Sequence, residues 1–226
     1  DLMVWSSGTN WRIRAFDSSE AQFLMDPIDD DSADKRPNSG IGAQLYRLIE
    51  AKAQKSVLIV TPYFVLTATQ KQMFKRLIAR GVQITIATNS RKSTDVLSAQ
   101  AGYEMIRGEV ADLGVKILEY SGPDTLHAKM VIVDNTDFFI GSYNWDPRSE
   151  NLNREVGVFL QIPEAQNEAF AQDLKGKVET IIARSVPYGG KAYDVQESIK
   201  DFFNLDFRSK RVIIWKFLYP LVKNQL

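Results

Sequence analysis

"SVLIVTPYFVLTATQKQMFKRLIARGVQITIATN", residues 56–89, reads as strand, helix and strand. Its first part, "SVLIVTPYF", is a continuous apolar run rich in β-branched residues, the pattern of a strand buried on both faces. "TQKQMFKRLIARG" then spaces its apolar residues as one helix face and closes on Gly81. "VQITIATN" is a second buried run. The alternation continues outward in both directions. "AQLYRLIEAKAQ" (43–54) sets Leu45, Leu48 and Ile49 at helical spacing, "DVLSAQAGYEMIRGEVADLG" (95–114) predicts a helix ending at Gly114, and "VKILEY" (115–120) predicts a third strand. This order predicts an α/β fold: a layered α/β/α domain with a mixed, largely parallel sheet.

The pattern then changes. "LHAKMVIVD" (126–134), "FFIGSY" (138–143) and "REVGVFLQI" (154–162) are strand-like, and the turn "DNTD" (134–137) separates the first two at hairpin distance. "PEAQNEAFAQDLKGKVETIIARS" (163–185) predicts a long helix with Pro163 in its first turn.

Composition removes several function classes. The 226-residue chain is 44% hydrophobic and 25% charged, the balance of an ordinary globular protein. Its 28 Lys and Arg offset 28 Asp and Glu, which argues against the broad basic footprint of a nucleic-acid binder. The absence of cysteine rules out disulfides and thiolate metal sites. No run of 18 apolar residues predicts a membrane span. The first residue is Asp1 rather than Met, and we expect the sequence to belong to a longer chain.

The single histidine, His127, stands in "TLHAKMVIVD" (125–134). In an extended segment residues i and i+2 share a face, so His127 and Lys129 project together and Asp134 lies on the opposite face. An ammonium beside an imidazole suits phosphate chemistry: the ammonium holds a phosphoryl oxygen while the imidazole attacks phosphorus or moves a proton. Downstream, "GSYNWDPRSENLNREVG" (141–157) is crowded with small polar groups. Gly141 permits close backbone approach. Ser142 and Asn144 can donate to a phosphate oxygen, and Glu155 could accept from an imidazole N–H.

"LHAKMVIVD" followed by "IGSYNWDPRS" and "NREVGV" resembles the signature of the phospholipase D superfamily, the HKD enzymes. With "TPYFV", "TNSRKSTDV" and "AGYEMIR", the order of motifs over residues 40–185 is similar to the C-terminal half of bacterial cardiolipin synthases, especially the class C type. That resemblance implies a catalytic histidine at His127, a phosphate ligand at Lys129 and a supportive role for Asp134. It implies phosphate contacts at Ser142 and Asn144, and a histidine-orienting carboxylate at Glu155. It also implies that no metal or organic cofactor is needed.

The implied activity is phosphatidyl transfer between phospholipids, or to an alcohol acceptor, through a phosphohistidine. One imidazole cannot be both the phosphorylated nucleophile and the acid in the same step. A second half-site is therefore expected, from a missing N-terminal half or from a homodimer partner. In two-motif relatives the second histidine is usually the acid/base, which would be the role of His127; in a self-paired dimer it would serve both roles. The implied partners are a phospholipid substrate and a membrane surface, and the implied location is peripheral on a bacterial inner membrane. Two alternatives remain: a homodimeric phosphodiesterase or endonuclease of the same superfamily, and a catalytically incomplete lipid-binding half.

Residues 1–39 are expected to be an irregular segment or linker in which "NWRIRAF" (10–16) and "AQFLMD" (21–26) could be short strands, with "DPIDDDSADKRPNSG" (26–40) as an exposed loop. Residues 40–190 are expected to form the catalytic domain, and 191–226 a tail. In the tail, "FRSKRVIIWKFLYPLVKNQL" (207–226) joins basic residues to aromatics, as an interfacial anchor or a segment docked on the core. "NSRKSTD" (89–95) could line a headgroup pocket, or be a surface loop. Tyr63 and Tyr103 could approach the site, with core packing as the default expectation for each.

Overall fold

The computed structural model describes residues 20–27, 40–162, 174, 176–190 and 207–222. In chain order the elements are β1 (Glu20–Met25), α1 (Ile41–Lys52), β2 (Ser56–Val60), α2 (Ala68–Ala79), β3 (Gln83–Asn89) and α3 (Leu97–Asp112). They continue with β4 (Lys116–Tyr120), β5 (Met130–Val133), β6 (Asp137–Gly141), α4 (Pro147–Asn151), β7 (Val156–Gln161), a helix α5 (176–183), β8 (Ser185–Pro187) and α6 (Phe207–Val222).

Among the described residues one mixed eight-stranded sheet runs β1-β7-β6-β5-β2-β3-β4-β8. The α/β class and the mixed sheet agree with the sequence reading. Parallel pairing is confined to β2–β3 and β3–β4; every other neighbouring pair is antiparallel. The physical reason is connection length. Helices α2 and α3 give the long crossovers that parallel strands need, whereas β5 and β6 are joined by a turn too short to reverse direction twice.

Local chemistry sets the element ends. Thr67 caps α2 with a capping box: its hydroxyl accepts from Gln70 N at 3.2 Å, and the Gln70 side chain accepts from Thr67 N at 3.0 Å. Gly81 and Gly114 follow α2 and α3 with φ of 83° and 95°, a conformation that costs glycine little. In the three-residue β5–β6 turn Asp134 (φ 52°) and Asn135 (φ 60°) both take the left-handed conformation, and Thr136 N donates to Val133 O at 3.0 Å.

The main core lies between the sheet and α1, α2 and α3. It buries Ile49, Phe74, Leu77, Ile86, Tyr103, Phe139, Tyr143 and Trp145. Each such side chain contributes roughly 1.5–3 kcal/mol from area removed from water.

Two expectations change. Strand β1 pairs with β7 along its whole length, so the sheet takes in the short strand read at "AQFLMD" and begins within the leader rather than at residue 40. Asp26, placed in an exposed loop, is 3% exposed, and its carboxylate accepts from Ile41 N at 2.9 Å and Glu155 N at 2.7 Å. Two buried backbone donors make that burial favourable. Within residues 191–226, α6 packs on α3 with Val212 and Tyr219 buried, the docked arrangement that the sequence left open beside an interfacial anchor. The remaining parts of the leader and acidic stretch (1–19, 28–39) and the start of the 163–185 helix lie outside the described residues.

Candidate active site

Strand β5 begins at Met130, so His127 and Lys129 precede the sheet rather than sitting within it. Their placement comes from side chains. The Asn89 amide at the end of β3 donates to Leu126 O at 2.8 Å and accepts from Leu126 N at 3.0 Å. It also donates to Pro62 O at 3.1 Å. The Thr125 hydroxyl donates to Ser93 O at 2.8 Å. These bonds fix the backbone immediately before His127 to the end of the parallel strands, where α/β sheets place their ligands.

From that anchor the imidazole reaches solvent. Lys129 Nζ lies 3.4 Å from both ring nitrogens of His127 and 3.0 Å from its carbonyl oxygen. The predicted shared face is therefore present. The Tyr63 ring stands edge-on to the imidazole, centroids 6.4 Å apart, with its hydroxyl donating to Asp95 at 2.8 Å. Burial lowers the Lys129 pKa, while the carboxylates of Glu155, Asp146 and Asp95 oppose that shift.

Residues 141–149 form the second wall. Tyr143 and Trp145 turn into the core; Ser142, Asn144 and Asp146 alternate with them. Tyr143 and Tyr46 hydroxyls are 2.6 Å apart, and Gln70 donates to Tyr46 at 2.9 Å. Trp145 O accepts from Val65 N at 2.8 Å, tying this wall to the chain after β2. Gly141 and Gly157 face each other across β6 and β7. A Cβ on Gly157 would fall 2.3 Å from the Phe139 ring, so glycine admits that ring here.

Glu155 is 5% exposed and gathers the wall together. It accepts from the Ser142 hydroxyl, from Ser149 Oγ at 2.7 Å and from Asn153 Nδ2 at 3.0 Å. The expected imidazole–Glu155 bond is absent among the described residues. Three donors from Glu155's own segment hold the carboxylate instead. Asn144 Oδ1 is buried with no hydrogen-bond partner among the described residues, leaving an acceptor unmatched beside the wall.

Asp134 belongs elsewhere. Its carboxylate accepts from Gln54 N at 2.7 Å, Lys55 N at 2.9 Å and Ser56 N at 2.6 Å. Burial would raise its pKa, but those three N–H groups and Lys55 lower it on balance. It sits at the far end of β5, on the order of 20 Å from His127 at strand rise. It joins β5 to the start of β2 and is out of reach of a phosphate held by Lys129.

The loop 89–95 is not a headgroup pocket built of free side chains. Asn89, Ser93 and Thr94 are buried, and Arg91 grips Glu104 at 2.8 and 2.6 Å. Its office is to hold the His127 segment. Sequence reasoning passed over two members of the site. Asp146 accepts from Ser149 N at 2.8 Å as the N-cap of α4, and burial raises its pKa to about 6. "DPRS" was a legible signal for it, an N-cap followed by Pro at the first helical position. Ser149 had no such signal.

A family model described as "Cardiolipin synthase, PLD-like domain" matches residues 46–179. Cardiolipin synthase C of Escherichia coli (strain K12) is 30% identical over 153 residues, covering 60% of this chain and 32% of that protein. The chain spans about a third or less of the length of the curated relatives it matches. Among solved structures, phosphatidylserine synthase of Haemophilus influenzae Rd KW20 superposes with a TM-score of 0.61 at 18% identity, over 91% of this chain and 48% of that one. Nuc of Salmonella typhimurium, a phospholipase D family member, superposes with a TM-score of 0.55 at 19% identity, over 75% of this chain and 97% of that one.

Proposed function

The chain belongs to the cardiolipin synthase, phospholipase D-like domain family, and on that premise we propose that it supplies one of two half-sites for phosphatidyl transfer through a phosphohistidine. The observation that carries this reading is the exposed His127 ring with Lys129 Nζ at 3.4 Å from both its nitrogens. A cation fixed beside an accessible imidazole draws a phosphodiester oxygen to the ring and offsets charge developing at phosphorus.

The chemistry has two displacements. An imidazole nitrogen attacks phosphorus, a P–N bond forms and the P–O bond to the headgroup alcohol breaks. The departing oxygen takes a proton from the second imidazole. An acceptor alcohol then returns a proton to that second imidazole, its oxygen attacks phosphorus and the P–N bond breaks. Water as acceptor gives hydrolysis by the same steps. With one histidine in this sequence, one of the two imidazoles comes from another half. Relatives and a fold neighbour about twice this length support a second half within one polypeptide. His127 is then the acid/base. A lipid substrate implies peripheral association with a bacterial inner membrane.

The test is conversion of phosphatidylglycerol to cardiolipin and glycerol by the longer polypeptide carrying both halves, with stereochemistry followed at an isotopically chiral phosphorus. Two displacements predict net retention and loss of turnover on His127→Ala. Net inversion would exclude the covalent route.

A further inference from the structure

Helix α6 has two apolar faces, and the core uses only one. On the inner face Val212 is fully buried and Tyr219 is 8% exposed against α3. Gly102 of α3 makes the close approach possible, since a Cβ there would lie 2.6 Å from the Tyr219 ring. Lys216 Nζ pairs with Glu104 at 2.6 Å, the same buried carboxylate that Arg91 holds. On the outer face Ile214, Phe217 and Leu218 stand at i, i+3 and i+4 spacing, exposed by 56%, 81% and 42%. Arg211, exposed, lies one turn before Ile214 on that side.

Besides Lys216, which is paired with Glu104, the helix sequence contains Arg208, Lys210 and Arg211 and no acidic residue. Apolar side chains beside cations, without anions, match the boundary of an anionic bilayer, where acyl chains meet negative headgroups. Lys216 and Pro220 interrupt the apolar run within the continuous helix, which suits a segment lying in the interface plane.

We propose that α6 is a membrane-contact helix that docks by its inner face on α3 and inserts Ile214, Phe217 and Leu218 into an anionic lipid surface, turning the His127 site toward the bilayer. The proposal rests on the reading of a phospholipid substrate. Its place in the fold supports it. Lys216 is joined through Glu104 to Arg91, and Arg91 opens the loop whose Ser93 holds Thr125 and whose Asp95 holds Tyr63. The charge of Asp146, in the site wall, also reaches Tyr219. Helix α6 therefore flanks the end of the sheet that carries His127.

Because the sequence has no cysteine, Phe217→Cys offers one labelling position for a polarity-sensitive dye. Vesicles of phosphatidylcholine with an equal part of phosphatidylglycerol should shift its emission to the blue, and pure phosphatidylcholine should do so less. The same dye at Gln72→Cys, exposed on α2, should not respond. In co-sedimentation, Phe217→Ser and Ile214→Ser should each lower partitioning roughly tenfold with unchanged melting temperature. Unaltered emission with vesicles, or sedimentation equal to that of the parent chain, overturns the proposal. So does a blue shift that grows with protein concentration without lipid, which would identify a second copy as the occupant. Vesicle binding needs no turnover, so absence of phosphatidyl transfer would sink the catalytic reading alone.

Discussion

The side-chain amide of Asn89 occupies both backbone groups of Leu126, donating to its carbonyl at 2.8 Å and accepting from its N–H at 3.0 Å. One residue later comes His127. A side chain here does what a neighbouring strand would otherwise do: it satisfies a buried backbone segment and sets its direction. The catalytic candidate is thus aimed by the end of β3, and its own strand starts only at Met130.

Asn89 should therefore act as a positioning residue. Asn89→Ala leaves buried backbone groups of Leu126 and Pro62 unpaired, at a cost of about 2–4 kcal/mol. In the complete enzyme kcat should fall by more than tenfold with little change in KM. Asn89→Asp keeps the acceptor for Leu126 N and should recover part of the loss. Steady-state kinetics with a denaturant melt separate these effects, and a KM-only change would refute positioning.

His127→Ala and Lys129→Ala should each reduce transfer by at least 10³-fold in the complete enzyme. Both side chains lie outside the buried core, so melting temperatures should move little. Normal turnover in either variant would remove the site assignment.

Asp134→Ala should do the reverse. It deletes a carboxylate bonded to three backbone N–H groups, costing about 2–3 kcal/mol by the scale of charged hydrogen bonds. The kcat per folded molecule should remain within a few-fold of the parent. A large kcat loss at unchanged stability would restore a catalytic role.

Glu104 sets an acid-side stability window. Burial alone would raise its pKa, but the Arg91 guanidinium and Lys216 ammonium overcome burial and hold it at about 2, below the ordinary 4.5. A depressed folded pKa contributes stability that is fully present above 4.5 and is lost as pH falls toward 2. That shift corresponds to about 3 kcal/mol. Glu104→Gln should cost about that much at pH 7, and chemical denaturation from pH 5 to pH 2 should show the gap closing.

Asp146 has the opposite sign. Burial raises its folded pKa from 3.8 to about 6, so the folded state binds the proton more tightly. Stability from this group is present at low pH and declines as pH rises from about 4 to about 6. Asp146→Asn keeps an oxygen to cap α4 and should stabilise the protein by up to about 3 kcal/mol at pH 7. The gain should vanish below about pH 4 in the same denaturation series. A loss at neutral pH would show that the charge is needed for the fold.

Much of the fold was legible because period is a local property. The runs at 56–60, 83–89 and 116–120 declared themselves as buried strands, Gly81 and Gly114 as helix ends, and the 134–137 turn as a hairpin. The parallel share was overestimated because pairing direction is not a local property: 21–26 could be read as a short strand but not given a partner, and 185–187 has no strand pattern of its own. Both enter the sheet by antiparallel pairing, with β7 and β4.

For the candidate site, the sequence by itself determined that one imidazole and one ammonium stand two residues apart, and that small polar residues alternate with Tyr143 and Trp145. Extended backbone geometry makes that alternation into two faces. The tertiary structure alone decided what each carboxylate does. Asp134, seven residues along the chain from His127, closes a distant hairpin, while Glu155 and Asp26, far apart in sequence, share one backbone junction. A carboxylate takes its role from the N–H and O–H groups that reach it, and those groups come from segments that only folding brings together.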